Sequence, residues 1–202
     1  MQYALPGNDH GLAHDPFKAI VAPRPIGWIS SLSPAGVANL APYSFFNAVS
    51  SSPHIVMFSS NGWKDSVANI AQTGEFVANY VDEPLAEAMN ATSVPAPGAV
   101  SEFDYAGLRA APSRWVAPPR VARARAALEC RLSEIIQPKT ADGGDSGHWL
   151  VLGEVVGVYI EDEAIVDGRF QVELTRPVAR LGYLDFAGIG GTFELRRPDW
   201  TP

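Results

Sequence analysis

Ile26-Gly27-Trp28-Ile29-Ser30-Ser31-Leu32, followed by Ser33-Pro34-Ala35-Gly36 and then Val37-Ala38-Asn39-Leu40-Ala41-Pro42-Tyr43, is the stretch on which the fold turns. Its first seven residues alternate in the way a strand requires, with Ile26, Trp28 and the polar Ser30 on one face. Ser-Pro-Ala-Gly then supplies turn chemistry: proline presets one backbone angle and glycine tolerates the positive φ that closes a tight reversal. A second strand over 37–43 completes a hairpin.

Outward from the hairpin the chain continues as short segments punctuated by 18 Gly and 17 Pro, with no internal repeat. Residues 54–60 read as a strand buried on both faces, because Ile55-Val56-Met57-Phe58 is an unbroken apolar run. Residues 64–73 read as a helix: Val67, Ile70 and Ala71 share a face, Asp65 can cap the start and Gly74 can end it. A strand over 75–81 follows, then a helix over 84–91 with Pro84 in its first turn. Residues 93–119 form a long proline-rich loop of the kind that often carries function. Residues 127–137 alternate cleanly and place Cys130 in the core, whereas 149–160 are apolar on both faces, with Gly153 and Gly157 marking bulges or a barrel corner. Two helices among six or more strands predict a mainly β fold, a β-barrel with helical attachments, and one domain over 1–202.

A chain of 202 residues can bury about 70 % of its unfolded surface, so a core without covalent staples is expected. Fifteen Lys and Arg against 22 Asp and Glu leave a net charge of −7, which argues against DNA or RNA partners held by long-range attraction. The single cysteine excludes an internal disulfide, and no stretch of 18 apolar residues occurs. A cytoplasmic protein without a membrane partner is the expectation.

The densest run of small hydroxyl and amide groups lies in the first third: Ser30, Ser31, Asn39, Ser44, Asn47, Ser50, Ser51, Ser52, Ser59, Ser60, Asn61 and Ser66. Hydroxyls at adjacent strand ends can converge. Lys64 and Ser66 at a helix start add an ammonium, a hydroxyl and unpaired backbone N–H groups, which together outline a phosphate site. Serines in a turn-rich β protein also serve turns and caps, and spacing leaves both readings open. Arg24, held extended between Pro23 and Pro25, suits either a surface ion pair or a phosphate. Trp28 is either core or a stacking surface. His148, after a glycine-rich loop, is either a strand-end turn residue or a group for proton traffic. No metal site is expected: His10 and His14 with Asp9 and Asp15 lack a helix to align them, because Gly11 and Pro16 intervene. Neither a P-loop nor a dinucleotide fingerprint is present.

Arg24-Pro25-Ile26-Gly27-Trp28-Ile29-Ser30-Ser31-Leu32, then Gly36, then Asn39-Leu40-Ala41-Pro42-Tyr43-Ser44-Phe45-Phe46-Asn47, then Lys64-Asp65-Ser66 with Asn69-Ile70, resemble the flavin reductase-like family. Later landmarks agree with it, among them Glu102-Phe103-Asp104, Gly107-Leu108, Glu129-Cys130, His148 with Gly153-Glu154-Val155, and Arg180-Leu181-Gly182. The resemblance implies an FMN-binding split β-barrel of Greek-key type, normally a homodimer with the isoalloxazine near the subunit boundary.

Carried onto this chain, it implies that Ala41, Pro42, Tyr43, Ser44 and Asn47 face the flavin's polar edge, and that Ser30 and Ser31 hold ribityl or phosphate oxygens. Lys64 and Ser66 would hold the phosphate with help from Arg24 or Ser59, Asp65 between them would belong to the same cofactor site, Trp28 would lie near the ring, and His148 would handle protons. The activity implied is hydride transfer from NADH or NADPH to flavin N5, with a flavin-dependent monooxygenase or another redox protein as downstream partner. A flavoredoxin-like carrier that keeps FMN bound and takes electrons from a protein is the alternative. A relative using FMN on a small molecule is a third possibility.

Overall fold

The structure, a computed structural model, describes residues 1–5 and 10–200. Asp9, one of the acidic neighbours of His10, falls outside them. Seven strands form the main sheet: β1 (Gly27–Leu32), β2 (Ala38–Tyr43), β3 (Phe46–Ser51), β4 (His54–Asn61), β5 (Glu75–Asn79), β6 (Ala126–Ile136) and β7 (His148–Ile160). Their order across the sheet is β2-β1-β5-β6-β7-β4-β3, and every pairing is antiparallel. The two edge strands, β2 and β3, are joined by Ser44 and Phe45 alone. A seven-stranded sheet whose edges are two residues apart must curl on itself, so the sheet is a mainly β split barrel whose split lies between β2 and β3.

The hairpin of β1 and β2 closes as expected. Gly36 has φ +82° and donates to Ser33 O at 2.8 Å, while Val37 N–H donates to the Ser33 hydroxyl at 3.0 Å. Strand β1 is buried on both faces because two cores flank it. Ile29 faces the barrel interior with Tyr43, Phe58, Phe76, Cys130 and Val151. Trp28 faces an outer core with Leu40, Leu85, Met89, Phe103 and Val121.

Helix α1 (Asp65–Thr73) plugs the barrel with Val67 and Ile70, both fully buried and worth about 1.5–3 kcal/mol each. It ends at Gly74, whose left-handed backbone (φ +74°) returns an N–H to Ile70 O, as a glycine C-cap does. Its start differs from expectation. Asp65 is the first helical residue and Lys64 stands at the cap, with no side chain capping the helix. Outside β1 and β2 lie α2 (Ala86–Ala91) and α3 (Glu102–Tyr105).

Three further departures have physical reasons. Strand β3 has no sequence signal because Asn47, Ala48 and Val49 are exposed on an edge and show no apolar alternation. The helix expected over 84–91 opens as a 3₁₀ turn, Glu83–Leu85, before α2. The loop over 93–119 contains α3 and the first half of a short ladder between Ala110–Ala111 and Arg120–Val121. Gly153 and Gly157 do sit at irregularities, since the β6–β7 register shifts between Leu152 and Gly153 and between Val155 and Gly157.

Candidate functional site

A cleft of about 430 Å³ opens where β2, the start of α1 and residues 92–96 meet. Ala41, Pro42, Tyr43, Lys64, Asp65 and Ser66 line it, so the structure gathers six of the sequence-expected residues in one place. Asn39, Glu102 and Thr92 complete its polar wall.

Register explains the gathering. Ser31 and Asn39 are partners across the β1–β2 ladder, so their side chains share a face, and α1 lies over that face. Asn69 of α1 donates to the Ser31 hydroxyl at 3.3 Å, and Ser31 donates to Asn39 Oδ1 at 3.4 Å. Ser66, one turn before Asn69, donates to the same Asn39 oxygen at 2.7 Å. The Asn39 amide is oriented by Glu102, whose carboxylate accepts from Asn39 Nδ2 at 3.0 Å and from Leu40 N–H at 2.9 Å. Glu102 is buried, and its two donors satisfy one and the same oxygen.

The cleft carries one positive and two negative side chains: Lys64 against Asp65 and Glu102. The uncapped α1 adds unpaired N–H groups and the positive end of its dipole. Burial raises the Tyr43 phenol above its ordinary pKa; the nearby hydroxyls of Ser66 and Ser60 oppose that shift, and the charges of Asp65 and Glu102 add to it.

Strand β4 divides the remaining residues by alternation. Ser60 points inward and donates to Gly62 O at 2.9 Å. Ser59 points outward, its hydroxyl 3.3 Å from Nδ1 of the half-buried His148. Phe45 stacks near that imidazole, with ring centroids 6.3 Å apart. Ser44 links the cleft strand to Phe45 of this outer pair. Asn47 is exposed on β3, where its side chain accepts the N–H of Ala48.

Three expected residues face elsewhere, each engaged by another partner. Arg24 is buried and its guanidinium donates to the backbone carbonyls of Lys18, Val21 and Leu181, tying the N-terminal helical turn to the segment after Val178–Arg180. Trp28 is fully buried and gives its indole N–H to Thr92 at 2.9 Å, so it holds up the cleft wall from behind. Ser30 lies on the face of β1 opposite Ser31, donating to Pro119 O at 2.5 Å and accepting from Asn79 at 3.3 Å. Strand alternation separates Ser30 from Ser31 although they are neighbours.

Sequence reasoning does not bring Glu102, Asn69 or the 92–96 wall to the site. In the sequence Glu102 and Asn69 stand out only as landmarks of the family resemblance, with no role attached to either. The partners of Glu102 are more than 60 residues away in the chain.

Among the described residues no cluster of His, Cys, Asp and Glu could hold a metal ion, and no helix is long and apolar enough to cross a membrane.

Residues 21–172 match the family model described as the flavin reductase like domain. An uncharacterized protein of Halalkalibacterium halodurans is 38% identical over 183 residues, covering 88% of this chain and 87% of that protein. Among solved structures, nitrilotriacetate monooxygenase component B from Bacillus cereus superposes with a TM-score of 0.83 at 30% identity, covering 96% of this chain and 100% of that one. The 2-nitrobenzoate 2-nitroreductase NbaA of Pseudomonas fluorescens does so with a TM-score of 0.80 at 32% identity, covering 92% and 90%. The split barrel, the polar cleft at its helix start and the match over 21–172 lead to one conclusion: the chain belongs to the flavin reductase-like family.

Proposed function

We propose that the cleft holds the ribityl phosphate end of FMN, and that the protein is an oxidoreductase in which NADH or NADPH reduces the flavin. The observation that carries this reading is the uncapped start of α1, flanked by Lys64 and Ser66 and open to the cleft beside Ala41-Pro42-Tyr43. Such a donor set fits a phosphate. Bound there, the flavin would supply the chemistry, accepting hydride at N5 and passing electrons on.

The chain's own residues bind and orient. Lys64 offers charge to the phosphate, and the first N–H groups of α1 offer a fixed dipole. Ser66 can turn its proton from Asn39 to a phosphate oxygen at little loss, because Asn39 Oδ1 keeps the Ser31 hydroxyl as a donor. On the exposed edge of β2 the outward positions are Leu40 and Pro42. Leu40 N–H is committed to Glu102 and Pro42 has none, so this edge offers carbonyl oxygens, which suit a donor such as the flavin N3–H. His148, steadied by Ser59 on the outer face, would serve proton exchange, and His148→Ala should then alter the pH profile of turnover.

Similarity to a monooxygenase component B supports a reductase that feeds a partner oxygenase. The experiment is anaerobic mixing of the FMN-loaded protein with NADH and NADPH in turn. Rapid bleaching of the oxidised flavin's visible absorbance band by either nucleotide supports the reductase. Tight FMN retention with no bleaching by either assigns the flavoredoxin-like carrier instead.

A further inference from the structure

Most of the polar side chains that wall the cleft are committed to one another. Thr92 donates to Met89 O at 2.7 Å and accepts the Trp28 indole N–H, while Ser93 donates to Asn90 O at 2.7 Å. Asn39 has its oxygen occupied by Ser66 and Ser31 and its amide nitrogen by Glu102. Glu102 breaks the pattern. It is 5% exposed, and both of its donors, Asn39 Nδ2 and Leu40 N–H, go to Oε2. The other oxygen, Oε1, takes no donor from the described residues, yet it is not sealed in the interior. Glu102 lines the cleft, so Oε1 is the atom it presents there. A carboxylate oxygen this far from bulk water needs a hydrogen-bond donor, and the donor left to it is one on the ligand.

We propose that Glu102 Oε1 accepts the 4′-hydroxyl of the FMN ribityl chain, and that through it the cleft selects a polyol phosphate over a bare anion. An ionised carboxylate only accepts, and it repels phosphate, so its partner on the ligand is a neutral hydroxyl. Proximity picks which one. Ser66, assigned above to the phosphate, donates to Asn39 Oδ1 at 2.7 Å, and the same Asn39 amide donates to Glu102 at 3.0 Å. A single amide group therefore separates the phosphate's hydroxyl donor from the carboxylate. The 4′ carbon is the neighbour of the carbon that bears the phosphate, whereas the 2′-hydroxyl lies two carbons nearer the ring. Lys64 and Glu102 then fix the direction in which the chain threads, with the anion at the start of α1 and the hydroxyl at α3. A hydrogen bond to an ionised acceptor is the stronger kind, which makes this contact one that can discriminate. The inference rests on the flavin phosphate placed in the cleft above, and names the residue that reads the ligand beside it.

The test crosses one change in the protein with one change in the ligand. Quenching of flavin fluorescence is measured for FMN, 4′-deoxy-FMN and 2′-deoxy-FMN, each with the full wild-type chain and with Glu102→Gln. Glutamine keeps a carbonyl oxygen for Asn39 and Leu40 and sets an amide nitrogen where Oε1 stood, so the contacts that hold the wall survive and the charged acceptor is lost. Removing the 4′-hydroxyl should weaken binding to wild type by about tenfold or more, and to Glu102→Gln by no more than about threefold. Removing the 2′-hydroxyl should cost both proteins the same. A residue that only props up Asn39 would leave the 4′ penalty equal in the two proteins, and that result overturns the proposal. Wild-type protein that binds 4′-deoxy-FMN as well as FMN overturns it too. Should Glu102→Gln not fold, wild type decides alone: the 4′ penalty must exceed the 2′ penalty, and equal or reversed penalties refute the assignment. Wild-type protein that binds no FMN defeats the flavin reading and this inference with it, whereas FMN bound without a 4′ preference defeats the inference alone.

Discussion

Lys64 is the one cationic side chain on the cleft wall, and Lys64→Ala isolates its contribution. A charge-assisted bond to phosphate contributes about 1.5–3 kcal/mol. Three features of the site place this one at the low end: Lys64 is exposed, Asp65 and Glu102 offset its charge, and the N–H groups of α1 remain in the variant. About 1.5 kcal/mol corresponds to roughly a tenfold rise in the FMN dissociation constant. Riboflavin lacks the phosphate, so its affinity should stay within about twofold, a few tenths of a kcal/mol. Quenching of flavin fluorescence measures both ligands under one set of conditions, and raising the salt should shrink the FMN difference. An unchanged FMN constant would remove Lys64 from the site. Equal weakening of FMN and riboflavin would show that the phosphate lies elsewhere.

Glu102→Gln keeps one carbonyl oxygen for both Asn39 Nδ2 and Leu40 N–H, and chemical denaturation should register a loss of about 1 kcal/mol; Glu102→Ala strands both donors and should cost about 3 kcal/mol. Gly153→Ala would put a methyl 2.4 Å from the Phe76 ring, an overpacking expected to cost about 1–3 kcal/mol in the same assay. Cys130, its thiol raised by burial, keeps its proton in the native state after the unfolded chain has lost it above about pH 8.5. The native state then binds more protons, so stability is full below that pH and falls by about 1.4 kcal/mol per pH unit above it. Cys130→Ala should flatten the decline in melting temperature between pH 8.5 and 10, with Tyr43, also raised, contributing further up.

Local chemistry was readable wherever its cause was local. The 33–36 turn, the Gly74 stop of α1 and the two glycine bulges of β7 all follow from backbone preferences of single residues, and each stands where the sequence put it. Alternation served β6 well, but it could not reveal β3, whose exposed edge carries no apolar rhythm. The cleft was legible in outline because Ala41-Pro42-Tyr43 and Lys64-Asp65-Ser66 each occupy one element end. Trp28 and Ser30 were not, since the partners that claim them, Thr92 and Pro119, lie 64 and 89 residues away, and Arg24 was not because the carbonyls of Lys18 and Val21 reach it only through the local helical turn and that of Leu181 from 157 residues away. Glu102 is the same case reversed: a loop carboxylate becomes the anchor of Asn39 only once α3 packs on β2.

FMN retention tests the central claim most directly. Wild-type protein given excess FMN and passed through a desalting column should emerge yellow, and Ser66→Asp, which sets a second carboxylate at the start of α1, should emerge colourless while still folded at the assay temperature, its melting temperature lowered by loss of the buried Ser66–Asn39 hydrogen bond. Colourless wild-type protein, or a Ser66→Asp variant that retains flavin as well as wild type, would contradict the placement of the flavin phosphate in this cleft.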